Sequence, residues 1–128
     1  MPSRKIEDCN TILQDVWKKA SALYAITYPD AAKVFLTCTY RTPAEQLELY
    51  ALGRTEKGNI VTNIRTGGKH NSLPAKAFDI AFKKSDGSLD WSVINFKNFA
   101  SIVKGLNTEV EWGGDWKSFK DLPHFEIK

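Results

Sequence analysis

The chain holds two histidines, His70 and His124, and each stands among groups that could share a metal ion or a proton with it. His70 lies in GGKHNSLPAKAFDIAF, nine residues ahead of Asp79, which interrupts an otherwise apolar run between Phe78 and Ile80. His124 lies in DLPHFE, three residues after Asp121 and two before Glu126. A carboxylate inside an apolar strand is costly unless it is hydrogen-bonded, paired or bound to a cation. Taken alone, Asp79 could as well pair with a Lys or Arg; the two histidines shift the balance. Two neutral imidazoles and one carboxylate make a three-ligand set, His70, Asp79 and His124, that leaves zinc an open fourth position for water, as in catalytic sites.

A turn over Leu122 and Pro123 would bring the Asp121 carboxylate beside that water, as a candidate general base. The plainer alternative is a turn aspartate bonding nearby backbone amides. On a strand, Glu126 shares the face of His124 and could orient its imidazole, or serve as an ordinary ion-pair residue. Arg41 falls at the corner TYRTPAEQ, and its planar fork suits a carboxylate or a developing oxyanion. Gln46, one turn into the following helix, could add an amide contact to substrate. On spacing alone both are equally surface polar residues. Trp112 and Trp116 in EWGGDWKSF either wall a cleft or fill the core.

The elements that must hold these groups are legible in the hydrophobic pattern. Ser3 is expected to cap a first helix with apolar positions from Ile6 to Tyr24, stopped by Pro29. KVFLTCTY, residues 33–40, reads as a buried strand. Thr42-Pro43-Ala44-Glu45 is a capping box with proline at the first helical position, opening a helix that runs to Gly53. Residues 54–76 are rich in Gly and Asn and read as a long loop, a length that in compact domains usually serves function. In AFDIAF, period-two alternation puts Phe78, Ile80 and Phe82 on one face and Ala77, Asp79 and Ala81 on the other, so the large side chains make core and the small ones leave room around Asp79. Asp90 is expected to cap a third helix closed near Gly105 to Asn107, followed by strands EVEW and PHFEI across a Gly-Gly turn. The order α-β-α-loop-β-α-β-β predicts an α+β fold, a mainly antiparallel sheet packed with helices.

At 128 residues, 42% of them hydrophobic, the chain is long enough for one core and too short for two, so residues 1–128 are expected to form a single domain. Its net charge of +3 comes from 18 basic and 15 acidic residues scattered without a basic stripe, which argues against nucleic-acid binding. No 18-residue apolar run exists, so membrane insertion is not expected, and the first residues lack the apolar segment of a secretory signal, which predicts synthesis in the cytosol. Cys9 and Cys38, without C-x-x-C spacing, are expected to be two buried free thiols, leaving any metal to His, Asp and Glu.

The segments YRTPAEQ, GGKHNSLPAKAFDIAF and EWGGDWKSFKDLPHFE, in this order, resemble the VanY-type zinc peptidases. That family includes D-alanyl-D-alanine carboxypeptidases and the L-alanyl-D-glutamate endopeptidases used as bacteriophage endolysins, on a fold shared with the hedgehog signalling domain. The resemblance runs from about Tyr40 to the C-terminus. It implies that His70, Asp79 and His124 are zinc ligands, that Asp121 is the base and that Arg41 stabilises substrate or transition state. It implies bacterial peptidoglycan as substrate, cut at the L-alanyl-D-glutamate bond of the stem peptide; a D-alanyl-D-alanine carboxypeptidase and a non-catalytic hedgehog-like zinc-binding domain are the alternatives. Many members carry S-x-H-x-x-G-x-A-x-D, whereas here the histidine and aspartate are nine apart and Gly68 takes the serine position. The form H-N-x-x-P-x-x-A-x-D is similar to the phage and prophage branch. This implies a monomeric endolysin, held in the host cytoplasm until a holin opens the membrane and then acting on the wall from the periplasm.

Overall fold

The apolar spacing at Leu13, Val16, Ala20 and Tyr24 folds as helix α1 (Thr11–Thr27) in the computed structural model, which describes residues 1–128. The expected cap is displaced by one short element. Ile6–Asp8 form a 3-10 turn, Cys9 bridges to Ala75, and Asn10 is the residue whose side chain accepts from Leu13 N, at 2.9 Å. Ser3 instead gives its hydroxyl to the Asp8 carboxylate at 2.5 Å. Ile6 and Cys9 still reach the core because the turn keeps them on the same side as the helix stripe.

Strands β1 (Lys33–Cys38), β2 (Ala77–Lys83), β3 (Val110–Trp112) and β4 (His124–Ile127) form one sheet in the order β1-β2-β4-β3, every pairing antiparallel. Helix α2 (Pro43–Ala51) follows β1, and helix α3 (Val93–Leu106) follows β2. This is the α+β architecture that the element order implied. The capping box of α2 is present in both directions, Thr42 Oγ1 accepting from Glu45 N at 3.1 Å and Glu45 Oε1 from Thr42 N at 2.9 Å. At α3 the expected cap differs. Asp90 accepts from the amide and hydroxyl of Ser92, at 3.0 and 2.6 Å, and the helix begins at Val93 without a side-chain cap. The aspartate spends its carboxylate on the turn before the helix, as short acidic side chains readily do.

Helices α1 and α3 cover one face of the sheet. Their aromatic rings meet those of the strands: Trp17 and Phe78 centroids lie 5.8 Å apart, Tyr24 and Phe82 5.4 Å, Phe99 and Phe125 5.5 Å. Phe78, Ile80 and Phe82 are wholly buried in this cluster, and alternation turns Asp79 to the opposite face. Phe78 pairs with Phe125 across β2 and β4, their rings stacked at 5.4 Å, and the next pair along is Asp79 with His124. A slip of one residue would drive His124 into the apolar core. The aromatic pair therefore sets the register that brings Asp79 and His124 together on the other side. There, α2 and residues 52–76, which contain no strand or helix beyond isolated bridges, close over that end of the sheet.

Candidate active site

On the face of the sheet away from the two packing helices, three donor atoms converge. His70 Nε2 lies 3.2 Å from Asp79 Oδ1, His124 Nδ1 lies 3.0 Å from the same oxygen, and the two imidazole nitrogens are 3.3 Å apart. The outer nitrogens decide what these atoms are. His70 Nδ1 sits 2.7 Å from the carbonyl oxygen of Thr39, which can only accept, so the ring proton is on Nδ1. His124 Nε2 sits 2.7 Å from Glu126 Oε1, which assigns its proton likewise. In their neutral forms both imidazoles thus present lone pairs to a carboxylate oxygen.

Three converging lone pairs repel one another unless a cation or protons lie between them. With bonds of about 2.0–2.1 Å, a tetrahedral metal spaces its ligand atoms about 3.3 Å apart, which matches this triangle. The donor set therefore fits a metal ion held by His70, Asp79 and His124. Its electrostatics point the same way. Burial opposes a charged His70, yet the charge and hydrogen bond of Asp79, with Cys38 adding, lift it to about 10. His124 is likewise disfavoured by burial but raised to about 9 by hydrogen bonds to Asp79 and Glu126. Burial would raise the Asp79 carboxyl, and the two histidines instead drive it far below the usual carboxylate range.

Each imidazole is held from behind. The Thr39 carbonyl orients His70, and Glu126 orients His124, itself paired with Lys69 at 3.2 Å. Burial raises the Glu126 carboxyl, and this is outweighed by His124 and then Lys69, leaving it below its ordinary value. Such outer hydrogen bonds fix the tautomer and aim of a metal-binding imidazole.

The Asp121 carboxylate offers an oxygen in a group with Asp79 and His124 whose ligand atoms all lie within 4.8 Å of one another. Its backbone is pinned between Gly113 O, which accepts from Asp121 N at 3.1 Å, and His124 N, which donates to Asp121 O at 3.1 Å. Gly113 is required there, because a Cβ would stand 2.3 Å from Asp121 O. Burial, then the charge of Asp79, raises the Asp121 carboxyl above its ordinary value, with His124, His70 and Arg41 offsetting part of the shift.

Arg41 reaches the same cleft. Its Nη1 donates to Gln46 Oε1 at 2.9 Å, its Nη2 to Cys38 Sγ at 3.4 Å, and Nη2 lies 3.9 Å from Asp79 Oδ2; Nε has no partner. Gln46 is only 2% exposed, and its amide is already engaged. Its nitrogen donates to Ile64 O at 2.7 Å, and its oxygen accepts from Arg41 and, at 3.3 Å, from Asn71. It lines the cleft as a brace for Arg41 rather than with a free polar group. Trp116 stands on the wall, its ring 5.3 Å from that of His124, whereas Trp112 is buried in the core and donates Nε1 to Leu122 O at 2.8 Å. The cleft, about 440 Å³, has Val61 and Ile64 and also Phe119 on its rims, each about half exposed.

Several participants carry no sequence signal strong enough to single them out. Asn71 ties the loop together, donating to Arg41 O at 3.0 Å and accepting from Gly68 N at 2.9 Å. The space beside Gly68 is already taken, since a Cβ would lie 3.0 Å from Ile64 Cγ2 and 3.1 Å from Asn71 Oδ1. That accounts for glycine where many VanY-type sequences have serine. Cys38 is a buried free thiol, as expected, but it lies inside the site, 3.7 Å from His70 Nδ1. With His70 and Asp79 its sulfur forms a further group whose ligand atoms all lie within 4.8 Å of one another, so cysteine is among the possible metal donors, contrary to the expectation from its spacing. Because it faces the His70 nitrogen bonded to Thr39, it stands next to the triangle of His70 Nε2, Asp79 and His124.

A family model described as D-alanyl-D-alanine carboxypeptidase matches residues 66–127. The chain is 40% identical over 121 residues to the peptidoglycan L-alanyl-D-glutamate endopeptidase CwlK of Bacillus subtilis, covering 88% of this chain and 71% of that protein. Its fold matches that of the Serratia marcescens L-Ala D-Glu endopeptidase ChiX with a TM-score of 0.65 at 21% identity, over 100% of this chain and 90% of that one.

Proposed function

The chain belongs to the VanY-type, D-alanyl-D-alanine carboxypeptidase family of metallopeptidases, and on that premise we propose that it hydrolyses the L-alanyl-D-glutamate bond of peptidoglycan stem peptides with zinc held by His70, Asp79 and His124. The observation that carries the choice of bond is the 40% identity to CwlK across most of both chains. Residues 1–128 act as one catalytic domain, working as a monomer.

Zinc, when bound, supplies a Lewis acid and acidifies a water molecule. The rest is the work of the protein. Asp121 accepts a proton at its carboxylate and later returns it to the departing amine. Its raised pKa suits the second task, because a carboxyl that is harder to ionise holds its proton longer. Arg41 offers N–H groups to the scissile carbonyl oxygen as negative charge develops there; Gln46 and Cys38 take one N–H each from Nη1 and Nη2, Nε is buried, and the second N–H of each terminal nitrogen is left for substrate. Thr39 and Glu126 keep both imidazoles in the tautomer whose lone pair faces inward.

The biological setting we infer is lysis of a phage host. The support is the H-N-x-x-P-x-x-A-x-D spacing, similar to the phage and prophage branch. The enzyme would wait in the host cytoplasm and reach the wall after a holin opens the membrane. Mass spectrometry of digested peptidoglycan tests the bond: a new D-glutamate amino terminus supports the endopeptidase, and free D-alanine would replace it with the carboxypeptidase suggested by the family description. Expression with and without a holin tests the setting; lysis independent of the holin would overturn it.

A further inference from the structure

Strand β1 contains an irregularity that redirects one side chain. Val34 pairs with Phe82 and Leu36 with Ile80, which places both on the core face, and strict alternation would send Cys38 there too. Instead the register shifts between Leu36 and Cys38, Thr37 is left over, and Cys38 pairs with Asp79. Bulges of this kind re-aim side chains and are common beside active sites. The thiol that arrives is 4% exposed and accepts from Arg41 Nη2 at 3.4 Å. It is therefore the only side chain besides Gln46 within hydrogen-bond distance of the guanidinium, the Asp79 carboxylate being farther off at 3.9 Å.

We propose that Cys38 is a positioning residue that sets the direction of the Arg41 guanidinium during peptide hydrolysis, a reading that rests on the function proposed above. The choice of sulfur has a physical reason. A carboxylate at this place would form a strong charge-assisted pair with Arg41 and neutralise it. A thiol is a weak acceptor, so it steers Nη2 without adding a second carboxylate to the Asp79 group already 3.9 Å away. The bulge places this soft acceptor where an unbroken strand would present Thr37.

The test compares Cys38→Ala and Cys38→Ser in the zinc-loaded enzyme, each also made in an Arg41→Ala background, with kcat and KM measured on peptidoglycan fragments alongside zinc content and melting temperature. Loss of the acceptor should lower kcat roughly three- to tenfold with KM nearly unchanged. Cys38→Ser, which keeps an acceptor, should recover most of the rate. In the Arg41→Ala background Cys38→Ala should cost nothing further, the mark of action through Arg41. A kcat equal to the parent's, an undiminished loss in the absence of Arg41, or loss of zinc from Cys38→Ala would each overturn the proposal. Should Cys38→Ala fail to fold, Cys38→Val against Cys38→Ser carries the same comparison. Product identity from the parent reports separately on the bond cleaved, so failure of that reading is not confused with failure of this one.

Discussion

Replacing Asp121 by Asn removes one charge and almost no volume, and the surroundings of Asp121 indicate what each property should do. The turn itself is held by backbone hydrogen bonds to Gly113 and His124 that the substitution leaves in place. The carboxylate lies in a group of donor atoms within 4.8 Å that includes Asp79. Two such charges at roughly 5 Å repel by about 3 kcal/mol at an effective dielectric of about 20, before neighbouring cations offset part of it. Neutralising Asp121 should therefore not destabilise the fold. In the metal-free protein the folded-state pKa of Asp121 is raised, so the parent loses stability as pH climbs through it, and Asp121→Asn is spared that loss. At neutral pH its melting temperature should equal or exceed the parent's. Turnover is another matter. A general base typically contributes about 10²- to 10⁴-fold, or about 3–5 kcal/mol of barrier, and kcat should fall by that much with zinc content intact. In the parent, activity should rise with pH as Asp121 deprotonates, and Asp121→Asn should lack this limb. Calorimetry of the metal-free proteins, metal analysis, and peptidoglycan digestion across pH at saturating zinc measure all three. Loss of zinc would make Asp121 a ligand, and undiminished cleavage would remove it from the mechanism.

Arg41→Ala should keep its zinc and lose roughly 10²- to 10³-fold in kcat, the usual effect of removing a donor to a developing oxyanion; parent-like turnover on peptidoglycan would refute the role. Gly113→Ala drives a methyl to 2.3 Å from Asp121 O, so it should destabilise by about 1–3 kcal/mol and lower kcat by displacing the base, whereas an unchanged melt and rate would show that the turn gives way freely. Chelation should abolish activity and lower the melting temperature, and zinc should restore both; at 100 times Kd a bound ion stabilises by about 2.7 kcal/mol, and full activity in chelator would contradict the ligand set.

Local rules made part of this protein legible in advance. Alternation in AFDIAF placed Asp79 opposite the buried phenylalanines, and Thr42-Pro43-Ala44-Glu45 opened a helix at the expected residue, because strand pleat and helix capping depend on neighbours a few positions away. The residue types alone indicated which side chains could share a metal. Other outcomes were set by partners far along the chain. Asp79 and His124 are 45 residues apart and meet because the stacked Phe78 and Phe125 fix the register of two strands, while His70 joins them from the loop, its backbone oxygen accepting from Arg41 N. Trp116 and Trp112, four residues apart, divide between cleft and core according to which side of the Gly113 turn each occupies. Gln46 has its amide consumed by Arg41, just ahead of its helix, and by Ile64 and Asn71, 18 and 25 residues further on. Cys38 shows the limit most clearly: a bulge leaves no local signature, and one unpaired residue moves the thiol from the core face to the side of Arg41 and Asp79. Period and capping are local energies written in adjacent residues, whereas register, bulges and hydrogen-bond exhaustion are settled only when distant segments compete for the same face.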